Sequence, residues 1–231
     1  MSAVRGARER ARAEVTAAIK DEARRQLADQ GAAKLSLRAV ARELGMVSSG
    51  LYRYFPSRDD LLTALIVDAY DAIGEAAESA LAAAGQVRAA ARWAAVCAAV
   101  RRWAIGHPHE YALIYGSPVP GYTAPQATIG PASRTGQVLI TIVRDAHRAD
   151  GLGLPVIAGE LRPEAERLAA AIAPDLPPPV AVALTAAWAQ LFGLISFEIF
   201  GQFNRLVEDR DAFFARAAGQ LADSVGLLRR E

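Results

Sequence analysis

The chain has 231 residues, of which 52% are hydrophobic, and its formal net charge is +1 at pH 7. This much apolar surface allows one large or two modest domains and excludes disorder as the general state of the chain. The single cysteine, Cys97, excludes an intramolecular disulfide and a thiolate-rich metal site, which fits a reducing cytoplasm. Residues 1–15 are charged where a signal peptide needs an apolar core, so export is not expected. Alanine and leucine are abundant, which favours helices throughout and no sheet.

The charge is unevenly distributed along the chain. Residues 1–60 hold 12 Lys or Arg against 8 Asp or Glu, a net +4, whereas the remainder holds 14 against 17, a net −3. A local basic patch is what contact with nucleic-acid phosphates requires, and an acidic remainder keeps the rest of a protein away from them. The first quarter of the chain is therefore the candidate nucleic-acid interface.

Residues 35–62 have the outline of a helix-turn-helix. They follow a loose basic tail and a helix predicted over residues 8–29. Ser36 is placed to cap a short helix that ends at Leu44, and Gly45 gives the backbone the freedom that a sharp turn needs. A first helix and a turn are therefore predicted before residue 47.

The second helix of this motif starts at residues 47–49. It carries Leu51 and Phe55 inward, because residues four apart lie on the same face of a helix. Another face carries small polar residues, one aromatic and one cation: Ser48, Ser49, Tyr52 and Arg53. Such a face suits a DNA major groove.

The rest of the chain reads as helices separated by Gly- and Pro-rich connections. The apolar periodicity predicts helices over residues 57–84, 86–105, 110–114, 133–149, 163–173, 180–200 and 211–228. The helix over residues 57–84 is expected to bridge a head domain, residues 1–62, and a second domain, residues 63–231. Loops as long as residues 116–131 are usually functional, so this loop is a candidate wall or gate of a ligand cavity.

Residues 180–197 contain no charge and reach the lower length limit of a membrane span. Thr185, Gln190, Gly193 and Ser196 make the stretch only moderately apolar, and no flanking Lys/Arg cluster sets an orientation. A helix buried inside a bundle and against a partner chain explains the stretch better. We therefore expect no membrane association.

Several spaced residues resemble the DNA-binding head of the TetR family of one-component transcriptional repressors. The resemblance covers residues 8–62 and depends on Gly45, on the run Leu51-Tyr52-Arg53-Tyr54-Phe55 and on Arg58. In addition, residues 103–121, WAIGHPHEYALIYGSPVPG, resemble the WHG-type ligand-binding domain of some members. The resemblance implies an all-α fold, in which an N-terminal three-helix helix-turn-helix domain precedes a helical bundle for ligand binding and dimerisation. It further implies a ligand-responsive repressor that needs no cofactor.

The resemblance also assigns contacts with double-stranded DNA, position by position. Base contacts fall on Arg38, Ser48, Ser49, Gly50, Tyr52 and Arg53, and phosphate contacts fall on Ser36, Tyr54 and Arg58. Two residues depart from the family pattern. Val47 stands where many relatives carry a capping Ser or Thr, so Ser48 is expected to take over the cap. Gly50 replaces a commoner Thr or Ala and so removes a methyl group that could touch a thymine.

Two further sets of residues are expected to bind the effector and the second protomer. Tyrosines beside a Pro/Gly loop, together with other large side chains, are the ligand candidates, because buried phenols need partners: Trp93, Trp103, Tyr111, Tyr115, Tyr122, Leu139 and Phe192. The last two helices carry more apolar area than one bundle face can hide, so the dimer candidates are Trp188, Leu191, Ile195, Ile199, Phe213 and Leu221. A homodimer is expected because two heads are needed to reach successive major grooves of a palindromic operator.

Enzyme activity and metal binding find no support in the sequence. It contains no glycine-rich phosphate loop, nucleophile elbow or paired-carboxylate motif, so no catalytic residue is predicted. His107, His109 and His147 lack an acidic or thiol partner at ligand spacing, so no metal site is predicted. Two alternatives stay open: a coregulator of the same fold that has lost DNA binding, as Val47 and Gly50 allow, and a membrane-associated helical protein.

Overall fold

The computed structural model describes residues 2–149 and 151–227, with side chains from residue 6 onward, and these residues form an all-α fold. The α-helices in chain order are α1 (Ser2–Gln30), α2 (Leu37–Glu43), α3 (Ser48–Leu51), α4 (Arg58–Ala84), α5 (Ala89–Gly106), α6 (Pro108–Tyr115), α7 (Ile129–Ala149), α8 (Arg162–Ile172), α9 (Pro178–Ile199) and α10 (Arg210–Ser224). Short 3₁₀ helices lie at Ala32–Lys34, Gln126–Thr128 and Gly159–Leu161. The predicted all-α fold class is confirmed.

Several helix ends differ from the predicted ones. Helix α1 begins at Ser2, where a loose tail was expected. Helices α7 and α9 begin earlier than predicted, with Pro131 and Pro178 in their first turns. Proline is tolerated there because the amide it lacks has no partner within the helix. The predicted end of the last helix, Leu228, lies outside the described residues.

The chain forms two compact units whose boundaries differ from the expected division at residue 62. The head unit contains the chain up to Tyr70 together with His107–Pro131, and the second unit contains Asp71–Gly106 and the chain from Ala132 onward. The head unit is discontinuous because α6 and the loop after it pack against the head's core through Leu113 and Val119, among others. The predicted ligand loop is therefore part of the head unit.

The core of the head unit fixes the helix-turn-helix. Side chains from α1, α2, α3, the turn after α3 and α4 are almost fully buried together: Ile19, Ala23, Leu27, Leu37, Val40, Ala41, Leu51, Phe55, Leu61, Leu62, Leu65 and Ile66. Burial of each large apolar side chain stabilises the fold by about 1.5–3 kcal/mol. This core buries the inner faces of α2 and α3 and leaves their other faces exposed.

The second unit is a bundle in which α9 packs against α5, α8 and α10. In its core the indole N–H of Trp93 donates a hydrogen bond to the Ala218 carbonyl at 3.1 Å. The Arg101 guanidinium in α5 binds both carboxylate oxygens of Glu198 in α9 at 2.7 Å and Asp211 in α10 at 2.7 Å. These contacts tie α5 to the last two helices.

Helix α9 also meets the length and composition criteria for a membrane span, and 39% of its most apolar window is buried. The buried residues of α9 include Val180, Leu184, Leu191 and Ile195, which pack inside the second unit. The core helix of a soluble protein meets the same criteria, so this property is weak evidence for a membrane.

Candidate nucleic-acid interface

The first helix of the motif is capped as the sequence predicts. The Ser36 hydroxyl accepts a hydrogen bond from the Ala39 amide at 3.4 Å, and Ser36 itself is extended. Three residues of α2, namely Leu37, Val40 and Ala41, face the core, while Arg38 is exposed. The Ser36 hydroxyl, which the family pattern assigns to a phosphate contact, therefore caps α2 in this structure.

A left-handed glycine makes the turn between the two helices. Gly45 has φ +64°, and the Met46 amide closes the turn by donating to the Ala41 carbonyl at 2.8 Å. A residue with a side chain is strained at this φ, so glycine is required here. The predicted end of the helix at Leu44, now the C-cap of α2, is confirmed.

Helix α3 begins at Ser48 without a side-chain cap. Val47 occupies the N-cap position in an extended conformation and accepts no hydrogen bond on its side chain. The expectation that Ser48 takes over the cap is wrong, because Ser48 is already the first helical residue. Helix α3 ends at Leu51. The chain then forms a turn in which the Phe55 amide donates to the Leu51 carbonyl at 3.1 Å.

The predicted inner and outer faces of α3 are observed. Leu51 is 0% exposed and Phe55 is 6% exposed, whereas Tyr52 is 42% exposed. Most of the residues that the resemblance assigns to base contacts are exposed. We call this set the reading surface: Arg38, Ser48, Ser49, Gly50, Tyr52 and Arg53. Of these residues Gly50 is half-buried, and the others are exposed. Contact between this surface and DNA stays a prediction.

An arginine from α1 holds the carboxyl end of α3. The Arg12 guanidinium lies over the Tyr54 ring, 5.3 Å from its centroid, and donates to the Arg53 carbonyl at 3.4 Å. The Tyr54 side chain is half-buried and packs against the head's core. Because spacing along one helix says nothing about which remote turn an arginine reaches, Arg12 was not predicted to have this role.

Arg58 makes contacts within the head unit, and its predicted phosphate contact stays a prediction. Its guanidinium donates to the carbonyls of Ala32 at 2.8 Å, Leu35 at 3.1 Å and Ala33 at 3.4 Å. The Ala32 carbonyl also accepts from the Leu35 amide at 3.3 Å, and the planar guanidinium can bind several carbonyls at once. Arg58 therefore closes the connection between α1 and α2 from the first turn of α4.

Three of the predicted ligand residues come together in the head unit. Tyr111 is fully buried, and its ring lies 5.2 Å from the Tyr115 ring, centroid to centroid. Tyr70, which was not predicted, meets Tyr115 edge-on at 6.0 Å. The Tyr122 hydroxyl lies 2.9 Å from the hydroxyl of Thr63 in α4. We call Tyr70, Tyr111, Tyr115 and Tyr122 the tyrosine cluster.

Burial raises the pKa of two tyrosines of the tyrosine cluster. Desolvation raises the pKa of Tyr115 and of Tyr70 above the usual value for tyrosine, and neighbouring phenols raise both further. A tyrosine of ordinary pKa is already protonated at neutral pH, so both hydroxyls can donate hydrogen bonds there, and burial extends this range to higher pH.

The other predicted ligand residues, Trp93, Trp103, Leu139 and Phe192, belong to the second unit. Trp93 and Leu139 are at most 1% exposed, and the Trp93 N–H already has a carbonyl partner. Phe192 packs edge-on against Trp188, with ring centroids 5.8 Å apart. Core packing within the second unit accounts for the burial of Trp93 and Leu139.

The predicted dimer residues fall into two groups. Leu191, Ile195 and Leu221 are buried within the protomer, so they do not form an outer surface. Trp188 and Phe213 are 41% and 43% exposed, and Ile199 is half-buried. Phe197 and Phe200, at 53% and 44% exposed, were not predicted. Periodicity could not rank the faces of α9, because apolar residues occur on all of them.

Aromatic rings in edge-on contact lead from α9 to α10. The Phe203 ring lies 5.7 Å from the Phe197 ring and 5.4 Å from the Phe213 ring, and both pairs are edge-on. These rings extend the exposed apolar residues of α9 across the connection to α10. We call the exposed rings of Phe197 and Phe213, with Phe203 between them, the aromatic face. Trp188 lies about half a helical turn away from Phe197 around α9, so it is on another side of the helix.

Comparison with known proteins identifies both parts of the chain. Residues 19–65 match the family described as bacterial regulatory proteins, tetR family, and residues 93–221 match the family described as tetracyclin repressor-like, C-terminal domain. The chain is 39% identical over 206 residues to the HTH-type transcriptional regulator Rv1816 of Mycobacterium tuberculosis, with 86% of each chain covered. The same identity and coverage hold for the HTH-type transcriptional regulator Mb1846 of Mycobacterium bovis.

Solved structures give the same result. The crystal structure of the regulatory protein SCO4313 is 33% identical, covers 93% of this chain and 98% of its own, and has a TM-score of 0.76. RolR in complex with the ligand resorcinol is 16% identical, covers 96% and 97% of the two chains, and has a TM-score of 0.53, which supports the fold alone. Both sequence relatives, Rv1816 and Mb1846, are HTH-type transcriptional regulators. The chain therefore belongs to the TetR family of transcriptional regulators.

Proposed function

We propose that this chain is a repressor that binds a palindromic operator as a homodimer and is released from it by a small, largely apolar effector. The observation that carries the proposal is the reading surface. Its hydroxyl, phenol and guanidinium groups are exposed, while apolar side chains of the same helices are buried in the head's core. Guanidinium groups can bind guanine through two hydrogen bonds in the major groove, and hydroxyls can bind several bases. Most of these polar groups have no role in the head's core, which supports a role toward a partner.

The aromatic face supports the homodimer. Large apolar side chains exposed together on α9 and α10 cost free energy in water, and a second copy of the same face would cover them. A two-fold dimer places two equivalent reading surfaces on one duplex. Such a protein favours an inverted repeat whose half-sites lie about 34–36 Å apart.

The tyrosine cluster supports an effector with an aromatic or apolar body and few polar groups. Buried phenols that stay protonated can orient such a ligand, and ring edges can pack against it. The loop that holds Tyr122 packs against the head's core, and Tyr122 meets Thr63 of α4. An effector that rearranges this loop therefore acts on the head itself. It releases DNA only if it binds the released state more tightly than the bound state.

A selection from random-sequence duplexes tests the DNA-binding part of the proposal. The full chain is mixed with the pool, bound duplexes are recovered and sequenced, and the affinity of the enriched sequence is measured by gel shift at a stated salt concentration. We expect an inverted repeat. No enrichment would instead support the coregulator without DNA binding.

The effector part needs a separate test. Resorcinol, the ligand of the fold relative RolR, and a panel of small phenols and apolar compounds are added to the operator complex. We expect at least one compound to release the chain, and Tyr115→Phe to weaken that release while operator binding is kept. Release that is equal in Tyr115→Phe would exclude the Tyr115 hydroxyl from effector binding.

A further inference from the structure

Val47 is the most exposed large apolar residue of the helix-turn-helix. Its side chain is 73% exposed at the N-cap of α3, and it makes no capping hydrogen bond. An apolar residue at this position gives up about 1 kcal/mol of stability that a hydroxyl would supply. The fold of the head therefore does not explain why valine stands here.

Gly50 leaves space beside Val47. A Cβ atom added at Gly50 would lie 3.5 Å from Cγ2 of Val47, which is ordinary van der Waals contact, and 3.9 Å from Cε of Met46. Gly50 has an unstrained φ, so its backbone does not require glycine. Because residue 50 has no side chain, the methyl groups of Val47 form an apolar part of this surface beside the hydroxyl groups that follow it in the chain. Ser48 and Ser49 are its exposed neighbours.

We propose that Val47 contacts the C5-methyl group of a thymine in each half-site and so determines part of the operator sequence. This inference rests on the proposed DNA binding by the reading surface. Thymine is the base that presents a methyl group in the major groove, and apolar side chains are the groups that recognise it. Gly50 contributes by leaving room for the thymine methyl to approach the valine.

A uracil scan of the selected operator tests the inference. Each thymine is replaced in turn by deoxyuridine, which removes only the methyl group, and affinity is measured by gel shift for the full-length wild type. We expect a loss of about 3- to 10-fold at one symmetry-related pair of positions. Replacement of the other thymines is expected to have a smaller effect.

The variant Val47→Ser separates base contact from helix capping. Serine removes both methyl groups and restores a hydroxyl at the N-cap, so thermal stability is expected to stay equal or to rise. The variant should bind the thymine and uracil operators equally at that pair of positions. Val156→Ser is the matched control, because Val156 is 98% exposed in the second unit, and it should keep the wild-type preference for thymine.

Each outcome supports or overturns the inference. Equal loss on uracil substitution in wild type and in Val47→Ser would overturn it, as would a uracil scan without an effect in the wild type. In both cases the operator itself would still be bound, so the proposed function would stand. A chain that selects no operator would overturn both the proposed function and the contact.

Discussion

The guanidinium of Arg12 lies over the ring of Tyr54, 5.3 Å from the ring centroid, and it donates a hydrogen bond to the Arg53 carbonyl at 3.4 Å. Arg12 belongs to α1, whereas Arg53 and Tyr54 follow directly after α3. This contact fixes the turn that carries Arg53, which is one of the residues expected to reach bases. The first helix therefore positions the reading surface without belonging to it.

We predict that Arg12→Ala weakens operator binding several-fold, because the turn after α3 loses its fixed position. An exposed cation–π contact contributes about 0.5–1 kcal/mol, so the free energy of unfolding should fall by no more than that. Arg10→Ala is the matched control, since it removes an equal charge from the exposed side of the same helix. Equal losses of affinity in the two variants would show that only the charge matters. Gel shift and thermal unfolding measure the two quantities.

We predict that Arg58→Ala lowers the free energy of unfolding by about 2 kcal/mol, because three carbonyls lose a charged hydrogen-bond donor. Arg58→Lys should recover only part of this loss, since an ammonium group lacks the planar fork. The comparison variant Arg38→Ala removes an exposed side chain and should stay within about 0.5 kcal/mol of wild type. Denaturant unfolding measures all three variants. Unchanged stability of Arg58→Ala with a weaker salt dependence of DNA binding would support the phosphate role.

In the second unit, Arg101 and Glu198 form a well-shielded ion pair whose side chains are 14% and 9% exposed. We predict that Arg101→Ala lowers the free energy of unfolding by about 3–5 kcal/mol, because Glu198 keeps a shielded charge without its partner. The second change Glu198→Gln in that background should recover part of the loss. Asp211 is 88% exposed, so Asp211→Ala should change stability by less than about 1 kcal/mol. A double-mutant cycle with no coupling would contradict this interpretation.

We predict that Phe197→Glu or Phe213→Glu converts the proposed dimer into monomers, because a carboxylate on the aromatic face would be buried without a partner. Sedimentation velocity at micromolar concentration measures the assembly state. Operator affinity should fall strongly in the same variants, since one reading surface covers only half of the site. Val156→Glu changes an exposed valine that is outside this face and should stay dimeric. A wild-type chain that sediments as a monomer would contradict the dimer.

The helix-turn-helix could be predicted closely because its rules are local. Leu51 and Phe55 are spaced for one face, and Gly45 has the positive φ that the turn needs. The role of Arg58 could not be predicted, because its acceptors lie about 25 residues away along the chain. In α9, the inner Leu191 and the outer Phe197 have similar hydropathy, and only tertiary packing separates them. Contacts between residues far apart in the chain therefore account for most of the differences between the sequence-based predictions and the structure.

The central claim is that the exposed face of α3 reads base sequence. The most direct measurement is the affinity of wild type and Tyr52→Ala for the selected operator and for an unrelated duplex of equal length. Tyr52 is 42% exposed, so its removal should change thermal stability little. We predict that Tyr52→Ala loses at least about tenfold in affinity for the operator and keeps its affinity for the unrelated duplex. Equal operator affinity in the two proteins would contradict the account.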